Sequence, residues 1–188
     1  QLRALAVEQK KGFFSGKDQL DAEQLTVECL RLVYRLLFLF YIEARPELGY
    51  VPITRSEIYE KGYSLESLRD LELQPLTTRQ ARDGYYFDDT LRRLFRLVAE
   101  GTGLGGPTQH DLEAGSVASV RETFALAPLD SRLFDDGTLP LLRRVRFPNH
   151  IWQEVIRLLS LARGEGKGKR AGRVSYQLLS INQLGAVY

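Results

Sequence analysis

Several strings in this chain have the residue types of catalytic or ligand-binding sites, and each would need a particular local structure to act. Gly101-Thr102-Gly103-Leu104-Gly105-Gly106 matches G-x-G-x-x-G, whose glycines let backbone approach a pyrophosphate where a strand turns into a helix. Here an arginine-bearing amphipathic segment precedes it and Pro107 follows, so it reads as a flexible helix-ending turn. Gly166-Lys167-Gly168-Lys169-Arg170-Ala171 fits the looser fingerprint and fails on the same context. Glu8-Gln9-Lys10 is half of a nuclease pattern in which a carboxylate binds magnesium and a lysine orients water. It lacks a paired aspartate on an identifiable strand and reads as a solvated helix end. Asp88-Asp89 and Asp135-Asp136 read as caps and turns rather than metal carboxylates. His110, His150 and Cys29 have no familiar zinc spacing, and Cys29 falls on an apolar helical stripe as a small core residue. No catalytic, cofactor-binding or metal-ligating residue is assigned.

The arginines and lysines are more informative than these motifs. Arg92, Arg93 and Arg96 share a helix face, Arg143, Arg144 and Arg146 precede the segment around Trp152, and Lys167, Lys169, Arg170 and Arg173 occupy a glycine-rich stretch. The first group reads as solvated arginines balanced by nearby acids. The second and third groups are the candidate DNA contacts, and the glycine-rich stretch reads equally well as a solvated tether. With 26 Lys and Arg against 24 Asp and Glu, the net charge of +2 carries no argument for nucleic acid by itself.

These residues must be positioned by helices. After Asp21, Leu25, Cys29, Leu32, Leu36 and Phe40 recur at helical spacing beside a second stripe of Leu30, Val33, Leu37 and Tyr41. This central helix becomes apolar all round towards its end, has Arg31 and Arg35 as its earlier polar face, and stops at Pro46 and Gly49. Residues 46 to 87 hold enough Pro and Gly to leave only short helices, such as Ser64 to Leu71. Asp88 or Asp89 caps a helix with Leu91, Leu94, Phe95 and Val98 inward and Gly101 at its left-handed end. Residues 107 to 147 read as loop-rich. Pro148 and Asn149 open a last amphipathic helix through Ile151, Trp152, Val155, Leu158, Leu159 and Ala162, the proline by its fixed backbone angle and Asn149 as the capping side chain, and this helix is expected to pack against the central one.

The expected fold class is therefore mainly α, an irregular helical bundle with long loops and room for small β elements. Three units are drawn along it: a helical scaffold over 1–163, a basic glycine-rich loop over 164–173, and the start of a further element over 174–188. Apolar residues at 44% and charged residues at 27% are globular proportions. Gln1 as the first residue and the lack of methionine predict an internal segment of a longer protein. The longest apolar run, Leu36 to Ile42, is far shorter than the roughly 18 residues of a membrane span. A single cysteine fits a reducing cytoplasm.

Four strings, in order, resemble the helical region that precedes the catalytic domain of large DNA methyltransferases, namely type IIG restriction-modification enzymes and their relatives in BREX and DISARM phage-defence systems. They are Leu30 to Arg45, Phe87-Asp88-Asp89-Thr90-Leu91, Asn149 to Ile156, and Ser180-Ile181-Asn182-Gln183-Leu184-Gly185-Ala186-Val187-Tyr188. The last is the most specific, because a similar Leu-Gly-x-Val-Tyr helix leads into the S-adenosylmethionine-binding fold of such proteins. The resemblance implies a non-catalytic scaffold of an adenine-specific DNA methyltransferase used in antiviral restriction, acting in the cytoplasm with S-adenosylmethionine as the parent protein's cofactor. It implies DNA, and other defence-system subunits, as partners. The family's cofactor glycine loop and Asn-Pro-Pro-Tyr motif are not in these residues, and Glu100 with the Gly101 string resembles such a loop only outside its proper context. The reading from another class is an independent helical module that docks a protein partner without DNA or cofactor.

Overall fold

A computed structural model describes residues 21–102, 124–162 and 172–179. They are mostly helical, and the only β pairing among them is an antiparallel bridge between Leu161 and Arg173. The central helix α1 spans Ala22–Glu43 and is capped as its sequence requires, the Asp21 carboxylate accepting from the amides of Glu23 and Gln24 at 3.0 and 2.9 Å. Leu25, Leu32, Leu36 and Leu39 are buried along one stripe, and burial spreads around the helix through Phe40, Tyr41 and Ile42. Each such side chain contributes about 1.5–3 kcal/mol by leaving water. A 3-10 turn at Pro46–Leu48 follows, and Gly49 closes it at φ 72° and ψ 7°, the left-handed region open to glycine.

Three short helices follow, each started by a hydroxyl that accepts from its first turn: α2 (Glu57–Gly62) by Ser56, α3 (Leu65–Arg69) by Ser64, and α4 (Arg79–Asp83) by Thr78. Helix α5 spans Tyr86–Glu100 and α6 spans Asn149–Ser160. The expected inward face of α5 is buried. Its cap differs from expectation. Asp88 lies inside the first turn with its side chain turned to other elements, and the Phe87 amide instead donates to Oδ1 of Asn149, 62 residues away, at 3.1 Å. Asn149 therefore does not cap its own helix; its amide nitrogen donates to the Ala81 carbonyl at 2.8 Å, so one side chain ties α4, α5 and α6 together. Helix α6 packs on α5, α4 and α3 rather than chiefly on α1. Leu158, expected inward, is exposed.

Between α5 and α6 the chain folds as 3-10 turns at Arg132–Phe134, Asp136–Thr138 and Leu142–Arg144, in keeping with the loop-rich expectation. Buried charges on α1 hold them. Arg35, expected on a polar face, is 1% exposed. Its Nε donates to the Leu133 carbonyl at 2.6 Å and its Nη2 to the Asp135 carbonyl at 2.8 Å, supplying donors to a loop with too few of its own. The Glu28 carboxylate, also buried, accepts from the amides of Leu141 and Leu142 at 2.9 Å each and so caps the last of these turns. Residues 172–179 lie on the same body, across the divisions drawn at 163/164 and 173/174. Val174 donates to the Ser160 carbonyl at 2.7 Å, and Tyr176 stacks on Phe40 at 4.8 Å.

Candidate functional site

The charged surface with the most to offer is built on α5. Arg92, Arg93 and Arg96 project from it within about 100° of helix circumference, given 3.6 residues per turn. The Leu142–Arg144 turn and the strand-like stretch after it come alongside. Arg92 makes the join, donating from Nε to Asp88 at 2.7 Å and from its terminal nitrogens to the carbonyls of Arg143 and Val145. Two arginine groups about fifty residues apart in sequence thereby become one face. Asp88 anchors it from below. It is 1% exposed, and its Oδ1 accepts from the Trp152 indole at 3.0 Å and from the Phe147 amide at 3.3 Å, locking α6 and the 145–147 stretch to α5.

The arginines of this face fall into two kinds. Arg92 is committed to Asp88, and Arg146 to Asp89, with its guanidinium 4.1 Å from the Tyr85 ring centroid. Arg93, Arg96 and Arg143 are exposed and make no ion pair among the described residues. Of the predicted DNA contacts, Arg143, Arg144 and Arg146 thus lie on one surface with Arg93 and Arg96, which the sequence reading had set aside as balanced by acids. Arg173 is elsewhere. It is held among acids of α3 and the turn after it, at 2.9 Å from Asp70, 3.2 Å from Glu72 and 3.8 Å from Glu66, and these raise its pKa, chiefly through Asp70. Its charge is locally matched by these three carboxylates. Lys167, Lys169 and Arg170 lie outside the described residues.

The other motifs resolve in part. Gly101 takes φ 70° and donates to the Leu97 carbonyl, and Thr102 donates to the Leu126 carbonyl, so the first two residues of the G-x-G-x-x-G string are a helix end. The remainder of that string, Gly166 to Ala171, Glu8 to Lys10 and His110 lie outside the described residues. Asp135 forms the expected turn, accepting from the Gly137 amide at 2.8 Å. His150 stands 3.9 Å from Asp83 at the start of α6, and Cys29 packs half-buried against the core. Among the described residues, no three His, Cys, Asp or Glu side chains gather closely enough to hold a metal ion, and no helix is long and apolar enough to cross a membrane.

Besides Glu28 and Arg35, the buried charges Glu43 and Arg69 carry no motif that marks them in the sequence. Glu43, at the end of α1, accepts from the amides of Leu65 and Glu66 at 2.9 Å each and from the Tyr59 hydroxyl at 2.9 Å. Burial pushes its carboxyl up to about 7 against the pull of these donors, and burial beside Glu43 raises the Tyr59 phenol. Arg69, 6% exposed, donates to the carbonyls of Ser160 and Val174 and lies 5.5 Å from the Phe40 ring centroid, pinning residues 172–179 to the body. Both are structural. A signal for such groups existed on α1, where Glu28, Arg35 and Glu43 occupy the same stripe as Leu25, Leu32, Leu36 and Leu39. A charge on an apolar stripe marks a buried partner elsewhere in the chain.

In comparisons with known proteins, no family model, no curated protein and no solved structure matches the chain.

Proposed function

We propose that this chain is a non-catalytic helical scaffold of an S-adenosylmethionine-dependent, adenine-specific DNA methyltransferase of a restriction or phage-defence system. In this reading it grips the DNA backbone through the arginine face of α5 and residues 142–147. The methyltransferase class rests on the resemblance of the four strings beginning at Leu30, Phe87, Asn149 and Ser180. The DNA contact rests on one observation, the joining of two arginine groups by Arg92 so that Arg93, Arg96 and Arg143 stand exposed without acid partners among the described residues.

Such a face suits phosphates. Guanidinium groups bind phosphate oxygens in pairs of parallel hydrogen bonds, and contacts of this kind fix a protein on the duplex without reading its sequence. Mounting them on a helix and on a turn capped by Glu28 holds them at set spacing, which a free loop would not. Base selection, cofactor binding and methyl transfer belong to other residues of the parent protein, and its site of action is the cytoplasm. The proposal is tested by incubating the full natural protein with labelled S-adenosylmethionine and DNA. The expected product is N6-methyladenine, detected by mass spectrometry of the digested DNA. A folded full-length protein that neither methylates nor binds DNA would reject the reading in favour of a helical module for protein partners.

A further inference from the structure

The arginine face surrounds one recess. A cavity of about 70 Å³ lies between α1, α5 and residues 136–147, floored by side chains that include Phe95 and Trp152. That is roughly the share of two water molecules in the liquid, the scale of one tetrahedral oxyanion. Four arginines (Arg35, Arg92, Arg96 and Arg143) and two aspartates (Asp88 and Asp136) line it, an excess of two positive charges. Asp88 pairs with Arg92 and Asp136 with Arg35, so the excess is carried by Arg96 and Arg143. Asp88 is buried and saturated by Trp152, the Phe147 amide and Arg92. Asp136 is 72% exposed, and its carboxylate stands 3.5 Å from Nη1 of Arg35, where it competes with any other anion for that guanidinium. Arg35 itself is 1% exposed and donates to the carbonyls of Leu133 and Asp135, so a fixed guanidinium charge stands in low dielectric at the wall of the recess, where its field favours an anion.

We propose that this recess seats a single phosphate group, with Arg96 and Arg143 closing on it from the rim and Arg35 facing it from the floor. Arg96 is supplied by α5 and Arg143 by the capped 142–144 turn, so both approach from elements whose positions are fixed. The inference deepens the DNA contact proposed above and rests on it only for the source of the phosphate. A backbone phosphodiester, a terminal phosphate and free phosphate all present the same tetrahedral oxyanion.

Trp152 is the only tryptophan in the chain and lines the recess, so its fluorescence reports occupancy. The protein is titrated with sodium phosphate at constant ionic strength, balanced with sodium chloride, and the arginine Nε–H signals are followed in parallel by NMR. A saturable response to phosphate and none to chloride is expected. The R96Q/R143Q double variant, which alters only exposed side chains, should weaken phosphate binding at least tenfold, and Asp136→Asn should tighten it several-fold by removing the competing carboxylate. No saturable response by either readout, or the same affinity in the double variant, overturns the seat. Competition then identifies the source. Equal displacement by duplexes with and without a 5′-phosphate assigns the backbone, and displacement only by the phosphorylated duplex assigns a terminal phosphate. Failure of both to displace leaves a seat for free phosphate while refuting the DNA contact.

Discussion

Removing the Asp88 carboxylate should loosen the whole arginine face, and the structure sets the size of the effect. Asp88→Ala strands the Trp152 indole N–H and the Phe147 amide, both buried, at about 1–3 kcal/mol each. Arg92 also loses its partner, but its side chain is 38% exposed, so water recovers most of that interaction and its share stays below about 1 kcal/mol. The expected loss is about 3–5 kcal/mol, in the range found when one member of a buried charged pair is deleted. Asp88→Asn should cost less, about 1–2 kcal/mol, because its oxygen still accepts from Trp152 and Phe147 and only the amide now opposing Arg92 is unfavourable. Urea titration followed by circular dichroism, which is independent of changes at Trp152 itself, measures both. A loss below about 1 kcal/mol for Asp88→Ala, or equal losses for the two variants, would refute the account of this anchor.

Three further outcomes follow from the core. Leu36→Ala or Phe40→Ala should cost about 2–5 kcal/mol by opening a cavity in α1, whereas Arg31→Ala, which loses one part-buried bond to the Thr138 carbonyl, should cost about 1 kcal/mol; equal small losses in denaturant would contradict the burial. Glu43 binds its proton more tightly folded, at about 7 against 4.5, so its contribution is present below pH 4.5 and lost as pH rises through 7. It should remove about 3 kcal/mol of stability across that window, and Glu43→Gln should flatten the fall in a pH series of unfolding curves. Gly101→Ala forces a side chain to φ 70° with its Cβ 2.6 Å from the Leu126 carbonyl oxygen. A loss of about 2 kcal/mol or more is expected in thermal unfolding, and a neutral result would show that the 101–128 approach is softer than its geometry implies.

What the sequence made legible was local. Asp21, the Leu25-to-Phe40 periodicity and the Leu91-to-Val98 face each act within one turn or one helix, and the structure carries them through to a mainly helical fold. Asn149 was misassigned because a capping side chain is recognisable by type, while the helix end it serves is decided by packing. Its acceptor meets an amide 62 residues away. Arg35 was expected on a polar face with Arg31, although its position on the stripe of Leu32, Leu36 and Leu39 pointed inward. The carbonyls of 133 and 135 that make its burial tolerable are about 100 residues distant. The same limit applied to the site. Arg92, Arg93 and Arg96 were discounted and Arg173 favoured on the acids near them in sequence, whereas space set Arg173 among acids of α3 and left Arg93 and Arg96 beside Arg143.

The most direct measurement is the dependence of DNA affinity on salt. An unrelated duplex is titrated with the wild-type chain and with an R93S/R96S/R143S variant at a series of sodium chloride concentrations, with R173S as the internal control. Each phosphate contact contributes about 0.9 to the slope of log affinity against log salt. The triple variant should therefore flatten that slope by about 2 to 3 on every sequence tried, while R173S, whose charge is matched by Asp70, Glu72 and Glu66, should leave it unchanged. A wild-type slope retained by the triple variant would contradict the central claim that this arginine face holds the DNA backbone.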